Sequence, residues 1–143
     1  MINTFKKLVE GLKKEASIEP NCREQLYPDI YELNSRPDIS YWAFCITPNT
    51  ITSSESFLTA NLNLFFVDRL SDSKDNHLEI QSNGIQSLTN IVNRFSNNNP
   101  EVEIGSAYFT PFYQRFNDEC SGVYLNINIS FPSSVCLIGE QYE

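Results

Sequence analysis

The side chains that most often carry catalysis are few in this chain and lie far apart in sequence. His77 is the single histidine among 143 residues, and the four cysteines form no CxxC pair. A thiol nucleophile needs a nearby base, and Cys120 with His77 is the one conceivable pair. Cys120 directly follows Asp118 and Glu119, and negative charge beside a thiol raises its pKa and disfavours the reactive thiolate. We therefore predict no catalytic residues.

Metal and phosphate sites also lack their usual spacing. Asp68, Asp72 and Asp75 lack the DxDxDG order and the distal glutamate of an EF-hand. One histidine with scattered cysteines lacks the ligand spacing of a zinc site. The five glycines lie too far apart for GxGxxG or a Walker loop. A solvated loop that caps a helix explains the aspartates, so we predict no metal and no cofactor.

Charge and hydropathy restrict the partners. The chain has 10 Lys and Arg against 18 Asp and Glu, a net charge of −8, which disfavours DNA binding because that binding depends on cations that neutralise phosphates. Lysines and Glu10 interrupt the N-terminal apolar positions, so this segment does not resemble a signal peptide. No apolar run approaches the roughly 20 residues that cross a bilayer. We expect an intracellular protein with reduced cysteines, no membrane partner and no sequence-specific nucleic acid.

Hydrophobic periodicity predicts the elements that must position any site. In chain order, the predictions are a helix over residues 2–16, a loop over 21–28, strands over 29–33, 41–47 and 57–67, a helix over 76–95, and strands over 102–108 and 123–131. Pro48 and Asn49 either end the 41–47 strand or bend it, in which case residues 50–52 prolong it. Residues 53–56 are expected to form a hairpin tip that could extend as an arm. Residues 109–122 are expected to be an aromatic and charged connection.

The two longest strand patterns differ in their second face. In residues 57–67 the even-numbered positions are apolar, and the odd-numbered ones change from polar to apolar, which predicts that one end is covered on both faces. In residues 123–131 the odd-numbered positions are apolar, and the opposite face carries Tyr124, Asn126, Asn128 and Ser130. That alternation indicates an antiparallel strand with one solvated face.

The second helix is expected to pack on the sheet. Its predicted apolar face consists of Leu78, Ile85, Leu88, Ile91, Val92 and Phe95. Gly84 lies inside this helix, where glycine costs about 1 kcal/mol relative to alanine, and it indicates close helix–sheet packing or a bend. Pro100 follows the end of the helix.

These patterns predict one domain over residues 1–143 of the α+β class. We expect an antiparallel or mixed sheet of about five strands, with two helices packed on one face. The C-terminal tail, residues 132–143, has no clear element and is expected to dock on a neighbouring subunit.

Exposed aromatic and charged segments predict subunit contacts, because Tyr, Phe and Arg are enriched in interface cores. The predicted contact residues are Glu55 and Phe57 at the hairpin tip, Asp68, Arg69, Asp72 and Lys74 in the polar loop, and Phe112, Tyr113, Arg115 and Phe116 in the aromatic connection. Each of these residues has an alternative interpretation as ordinary surface or core.

Two stretches, FFVDRLSDSKDNHLEIQSNGI and TPFYQRFNDECSGVY, resemble small structural proteins encoded among the virion genes of crAss-like and related gut phages. The order of elements is also similar to the tail-terminator and neck-ring families of tailed phages. The resemblance implies a virion protein that is made in the host cytoplasm and forms a ring with copies of itself. Its further partners would be portal, neck or tail proteins, and DNA would pass through its lumen.

Two other classes of function stay open at this point. One is a small adaptor that binds a partner protein through a sheet edge. The other is a small enzyme that uses Asp118, Glu119, Cys120 or His77. The oligomeric state separates the ring from the adaptor, and substitution of Cys120 or His77 tests any activity.

Overall fold

The computed structural model describes residues 1–27, 41–70, 75–115 and 120–133, with the backbone alone for residues 114–115. Within these ranges it contains the helices α1 (Phe5–Ser17) and α2 (His77–Asn98) and the strands β1 (Glu24–Leu26), β2 (Ala43–Ser54), β3 (Phe57–Arg69), β4 (Glu103–Arg115) and β5 (Cys120–Pro132). The predicted α+β class, with two helices and a five-stranded mixed sheet, is confirmed. The strand predicted over residues 29–33 lies outside the described residues.

The sheet has the strand order β1-β2-β3-β5-β4. Strand β1 runs parallel to β2, and all other neighbouring pairs are antiparallel. The central strand β3 pairs with β5 along its entire length, from Phe57 opposite Pro132 to Arg69 opposite Cys120. The middle of the sheet is therefore a regular ladder, and both interruptions of β4 and the one in β2 lie away from it.

Two strand boundaries differ from prediction, and a third, that of β2, follows the prolonged alternative that the sequence left open. The expected loop over residues 21–28 contains β1, because Leu26 is buried at 3% exposure beside the sheet. Strand β2 continues past Pro48 by means of a bulge at Asn49. Strand β4 continues to Arg115, so the first half of the expected aromatic connection is strand. Pro111 is tolerated within it because β4 is an edge strand, where a missing ladder donor costs little.

The main core lies between the helices and one face of the sheet. Its largest fully buried side chains include Phe44 of β2, Phe95 of α2 and Phe131 of β5. The even-numbered residues of β3 and the odd-numbered residues of β5 face this core, as their alternation predicts. Burial of each such large side chain contributes about 1.5–3 kcal/mol, so this layer dominates the stability of the fold.

The predicted apolar face of α2 is partly wrong. Leu78 and Ile85 are 78% and 42% exposed, whereas Ile80 is buried. The cause is Gly84, which lies against the sheet: a Cβ at this position would be 2.6 Å from Cγ1 of Val123. The side of the helix that contains Gly84 therefore faces the sheet, and Leu78 and Ile85 lie on the exposed side.

The two helices are joined by a polar junction. Nη2 of Arg94 lies 2.7 Å from Oε2 of Glu19 and donates to the backbone carbonyl of Glu15 at 2.8 Å. Asn90 donates to the same Glu19 carboxylate, and Asn98 donates to the carboxylate of Glu15. Both glutamates are 5% exposed, so these bonds are needed to compensate their burial. The junction holds the end of α1 against α2.

Candidate subunit-contact surfaces and the open face of the sheet

The predicted contact residues are divided between two ends of the molecule. Glu55 lies in the turn between β2 and β3, and Phe57 begins β3, whereas Asp68 and Arg69 end β3. A strand rises about 3.3 Å per residue, so the two groups lie about 40 Å apart. The residues of this prediction therefore form at least two separate patches.

The hairpin tip is exposed, but it does not project as an arm. Strand β3 stays paired with β5 to its first residue, Phe57, and the backbone N–H of Ser133 donates to the carbonyl of Ser56 at 3.0 Å. Phe57 is 42% exposed. The predicted extended arm is wrong, because a third strand supports the hairpin along its entire length.

The opposite end of β3 borders a polar cleft of about 530 Å³ between α2 and the start of β2. Asp68 lines this cleft together with Arg23 and Trp42. Partial burial raises the pKa of the Asp68 carboxyl, although its Oδ1 accepts from the backbone N–H of Arg69 at 2.8 Å. The guanidinium carbon of Arg69 lies 5.2 Å from the ring centre of Tyr41, a cation–π arrangement.

The aromatic residues of β4 have two different environments. Phe112 is 5% exposed, and its ring centre lies 6.0 Å from that of Phe65. Within the subunit Phe112 is therefore a core residue, which is the alternative to its predicted role as a contact residue. Tyr113, the next residue, is 66% exposed and meets the ring of His77 edge-on at 5.5 Å. Arg115 ends β4. Its side chain, and the residues Asp72, Lys74 and Phe116, lie outside the part of the chain that the structure describes.

His77 contacts a serine, not a cysteine, among the described contacts. Its Nδ1 lies 3.0 Å from Oγ of Ser121, a fully buried hydroxyl that donates to the carbonyl of Phe112 at 3.0 Å. A hydroxyl has one proton to donate, so when Oγ gives it to the carbonyl of Phe112, Nδ1 carries a hydrogen and donates to Oγ; the tautomer of His77 decides between this direction and the opposite one. The first direction is the reverse of the one in which a histidine base activates a serine nucleophile.

The cysteines of the described segments are free thiols. Cys45 and Cys120 are fully buried. Burial raises the pKa of the Cys22 thiol and outweighs its hydrogen bond with Gln25, which disfavours the thiolate. Within residues 1–27, 41–70, 75–115 and 120–133, no group of three or more His, Cys, Asp or Glu side chains is placed to hold a metal ion. No helix of these segments combines the length and hydropathy that crossing a membrane requires.

The sheet has two open edges on different strands. Strand β1 covers only residues 43–45 of β2, and no strand of the described residues lies beyond residues 50–54 of β2 or beyond β4. We call residues 50–54, TITSS, the β2 edge and residues 107–110, AYFT, the β4 edge. Neither contains a charge or a proline, although these are the common devices that keep edge strands from pairing.

The face of the sheet away from the helices has an apolar half and a polar half. In the apolar half, Phe65 packs against Phe112 and against Tyr124 at 5.1 Å, within a second buried cluster. The apolar odd-numbered end of the 57–67 pattern belongs to this cluster, which confirms that this end of the strand is covered on both faces.

The polar half contains asparagines that bond to one another across strands. The side-chain amide of Asn61 donates to Asn126 at 3.1 Å and to Asn128 at 2.9 Å, and it accepts from Asn49 at 2.9 Å. Asn126 also donates to Asn63 at 2.8 Å. The sequence shows these residues as a polar strand face, but it gives no register. Their convergence into one network therefore could not be predicted.

Comparison with known proteins gives no family assignment. No protein-family model matches the chain, and no curated protein matches it either.

Proposed function

We propose that this chain is a structural subunit that joins copies of itself into a closed ring at the neck or tail of a tailed phage. The two open sheet edges carry this proposal. Each presents backbone donors and acceptors that no strand of the described residues pairs with, over residues 50–54 of β2 and over the uncharged residues 107–110 of β4, which lie between Glu103 and Pro111. Pairing of the β2 edge of one copy with the β4 edge of the next gives the backbone donors and acceptors of both edges hydrogen-bond partners.

A contact between two different edges is of the heterologous kind. The β2 edge and the β4 edge lie on opposite sides of the β3–β5 ladder. An interface of this kind leaves one open edge at each end of a growing chain of subunits, and a suitable rotation between neighbours closes that chain into a ring. A pair of identical edges would instead form a dimer and stop.

The position at a phage neck or tail is supported by the resemblance of the sequence to virion proteins and by charge. The net charge of −8 favours a lumen that repels DNA phosphates, which lets a genome pass without binding. In this proposal the ring is made in the host cytoplasm, becomes part of the virion and contacts portal, neck or tail proteins through the exposed ends of the sheet. The chain performs no catalysis.

The first experiment measures the solution mass by light scattering, with negative-stain images of the same chromatographic peak. The ring predicts a mass that is an integral multiple of 16.4 kDa and closed particles in the images. A chain that stays monomeric at the highest attainable concentration contradicts self-assembly. It favours instead an adaptor that accepts a strand of a partner at one of the same edges.

A pair of lysine substitutions tests which edges meet. Ile51→Lys charges the β2 edge and Ala107→Lys charges the β4 edge, and both positions are exposed in the subunit. Each variant alone should be monomeric, because a desolvated lysine opposes strand pairing. An equimolar mixture should form a heterodimer, since each variant keeps the edge that the other has lost.

Asn93→Lys provides the matched control, because it adds the same charge at an exposed position of α2 and should leave the ring intact. If Ala107→Lys is monomeric but Ile51→Lys remains an assembly, the contact joins two β4 edges and the heterologous ring is excluded. If both variants assemble like the wild type, neither edge is the contact.

A further inference from the structure

One side of α2 carries apolar residues that the subunit exposes to solvent. Leu78 and Ile85 are 78% and 42% exposed. They share one side of the helix with Gln81, because residues three or four positions apart are neighbours on a helix surface. Nε2 of Gln81 donates to the backbone carbonyl of Phe112 in β4 at 3.0 Å. The exposed apolar side of α2 therefore faces β4, the last strand of the sheet.

The middle of α2 lies at the level of the β4 edge. Gly84 packs against Val123 of β5, and Val123 lies opposite Pro111 of β4. Ile85 follows Gly84 in the same turn of the helix, on the side that faces β4. Ile85 therefore stands beside the part of β4 that contains Phe109.

Phe109 continues this apolar surface on the sheet. It lies opposite Leu125 of the main core, so its side chain points to the side of the sheet that the helices cover, where it is half-buried. We call Leu78, Ile85 and Phe109 the α2 ledge. A single exposed apolar side chain is ordinary, but the ledge is an uncharged row beside an edge that no strand of the described residues pairs with.

A strand added to the β4 edge must place side chains against the ledge. Neighbouring strands lie about 4.8 Å apart, and directly opposed residues share a face, with their Cβ atoms about 4.5–5.5 Å apart. The added residue opposite Phe109 therefore points to the helix-covered side, next to Ile85. An apolar side chain fits this position, whereas a charged one would lose its hydration against Ile85.

The β2 edge of the same chain contains such a residue. Ile51 is 45% exposed. It lies opposite Ala60, a fully buried residue of the main core, so it also points to the helix-covered side. Ile51 is the one apolar residue of the β2 edge, and its neighbours there carry hydroxyl groups.

The strand directions bring the two surfaces together. Strands β2 and β5 run one way, and β3 and β4 run the other. Copies that keep one orientation around a ring therefore pair β4 of one copy antiparallel with β2 of the next, with their helix-covered sides facing the same way. Ile51 of the second copy then lies on the side where the first copy has its ledge.

We propose that the α2 ledge is a second layer of the subunit contact, in which Ile51 of the next copy packs opposite Phe109 and beside Ile85. This inference rests on the proposed ring and names the side chains that make its interface selective. Main-chain hydrogen bonds at an open edge accept many sequences, and side-chain pockets beside the edge give specificity. The ledge therefore selects a second copy of this chain over other extended segments.

Light scattering over a series of dilutions tests the ledge by the concentration at which half of the chains are assembled. Ile85→Ala should raise this concentration about tenfold, because it removes much of the apolar contact with Ile51. Asn93→Ala shortens an exposed side chain of the same helix and should leave this concentration unchanged. Both variants should keep the circular dichroism spectrum of the wild type.

A pair of opposite charges identifies the residue that fills the ledge. Ile85→Glu alone should be monomeric, as is expected of Ile51→Lys. The double variant Ile51→Lys/Ile85→Glu should assemble again, because the new ammonium of one copy meets the new carboxylate of the next. Ile51→Lys/Asn93→Glu has the same net charge, but its carboxylate lies about 12 Å further along α2. It should stay monomeric.

Two results overturn this inference while the ring stands. The first is assembly of Ile85→Ala and Ile85→Glu like the wild type while Ile51→Lys and Ala107→Lys are monomeric, which would show that the contact has no helix layer. The second is a folded Ile51→Lys/Ile85→Glu variant that stays monomeric, which would show that another side chain fills the ledge. A wild type that is monomeric at every concentration overturns the ring and this inference together.

Discussion

The two faces of the sheet are built from the same strands but follow different rules. Towards the helices, β3 and β5 present mainly apolar residues, most of them fully buried, with the polar Asp68 and Ser121 at one end. Away from the helices, the same strands present an aromatic cluster at one end and the network of asparagine side chains at the other. Packing against α1 and α2 requires an apolar side chain at most positions of the first face. The second face lacks contacts with the helices; a buried aromatic cluster holds one half of it, and side-chain hydrogen bonds across strands hold the other half.

The largest test of this contrast uses two adjacent phenylalanines. Phe66 faces the helices, with its ring centre 4.4 Å from that of Trp42, and Phe65 faces the other way. Phe66→Ala should lower the free energy of unfolding by about 3–5 kcal/mol. Phe65→Ala should cost less, about 2–3 kcal/mol, because Phe65 belongs to the smaller of the two buried clusters.

Urea unfolding of both variants at one fixed protein concentration measures the difference, since assembly makes stability concentration-dependent. Equal losses would mean that both faces are packed to the same degree. A larger loss for Phe65→Ala would reverse the comparison.

A smaller effect is expected where α2 touches the helix-covered face. In Gly84→Ala the new Cβ would meet Cγ1 of Val123 and, at 2.8 Å, Cδ1 of Phe66. Overpacking costs about 1–3 kcal/mol, and the gain in helix propensity returns about 1 kcal/mol. Thermal unfolding should therefore show a net loss of about 1 kcal/mol. Asn83→Ala, at the exposed neighbouring position, should not destabilise, and a stabilised Gly84→Ala variant would show that the helix moves freely on the sheet.

The smallest effect concerns Asp68, which is half-buried at the cleft on the helix-covered side. Burial raises its pKa in the folded state, so the folded protein holds the proton more tightly than the unfolded chain does. Stability from this group is then present at low pH and is lost as pH rises from the unfolded pKa through the raised folded pKa.

Asp68→Asn should therefore melt a little higher than the wild type at neutral pH, and this gap should close near pH 3. Because the two proteins share all other carboxyl groups, the difference between their melting temperatures at each pH removes the contribution of those groups. A variant that melts lower at neutral pH would show that the ionised carboxylate is stabilised in the folded state.

The sequence predicts the helix-covered side well, because burial imposes a period on the residues. The alternation of residues 57–67 and 123–131 identified the correct inward positions, and Gly84 indicated the close helix contact. The α+β class and the two helices follow from the same periodicity. These features depend on local spacing, which a single sequence contains.

The other side depends on register, which local spacing does not contain. Phe112 was expected at a subunit contact and is instead buried against Phe65, because β4 continues past Pro111 as an edge strand. Asn61 and Asn128 lie 67 residues apart and meet only because β3 and β5 are neighbours. Local sequence spacing gives no information on that pairing, so the network of asparagines could be found only in the structure.

The β3–β5 ladder also affects how the chain folds while it is being translated. Its paired residues are between 51 and 75 positions apart in the chain, so a large loop must close before the centre of the sheet exists. Such a high contact order slows folding. During translation the β2–β3 hairpin is complete before β5 exists, so the edge of β3 that β5 covers in the finished sheet is still unpaired. The pairing of β3 with β5 cannot be completed until residue 132 has been synthesised. Chaperone dependence during expression is the expected result of placing the last described strand at the middle of the sheet.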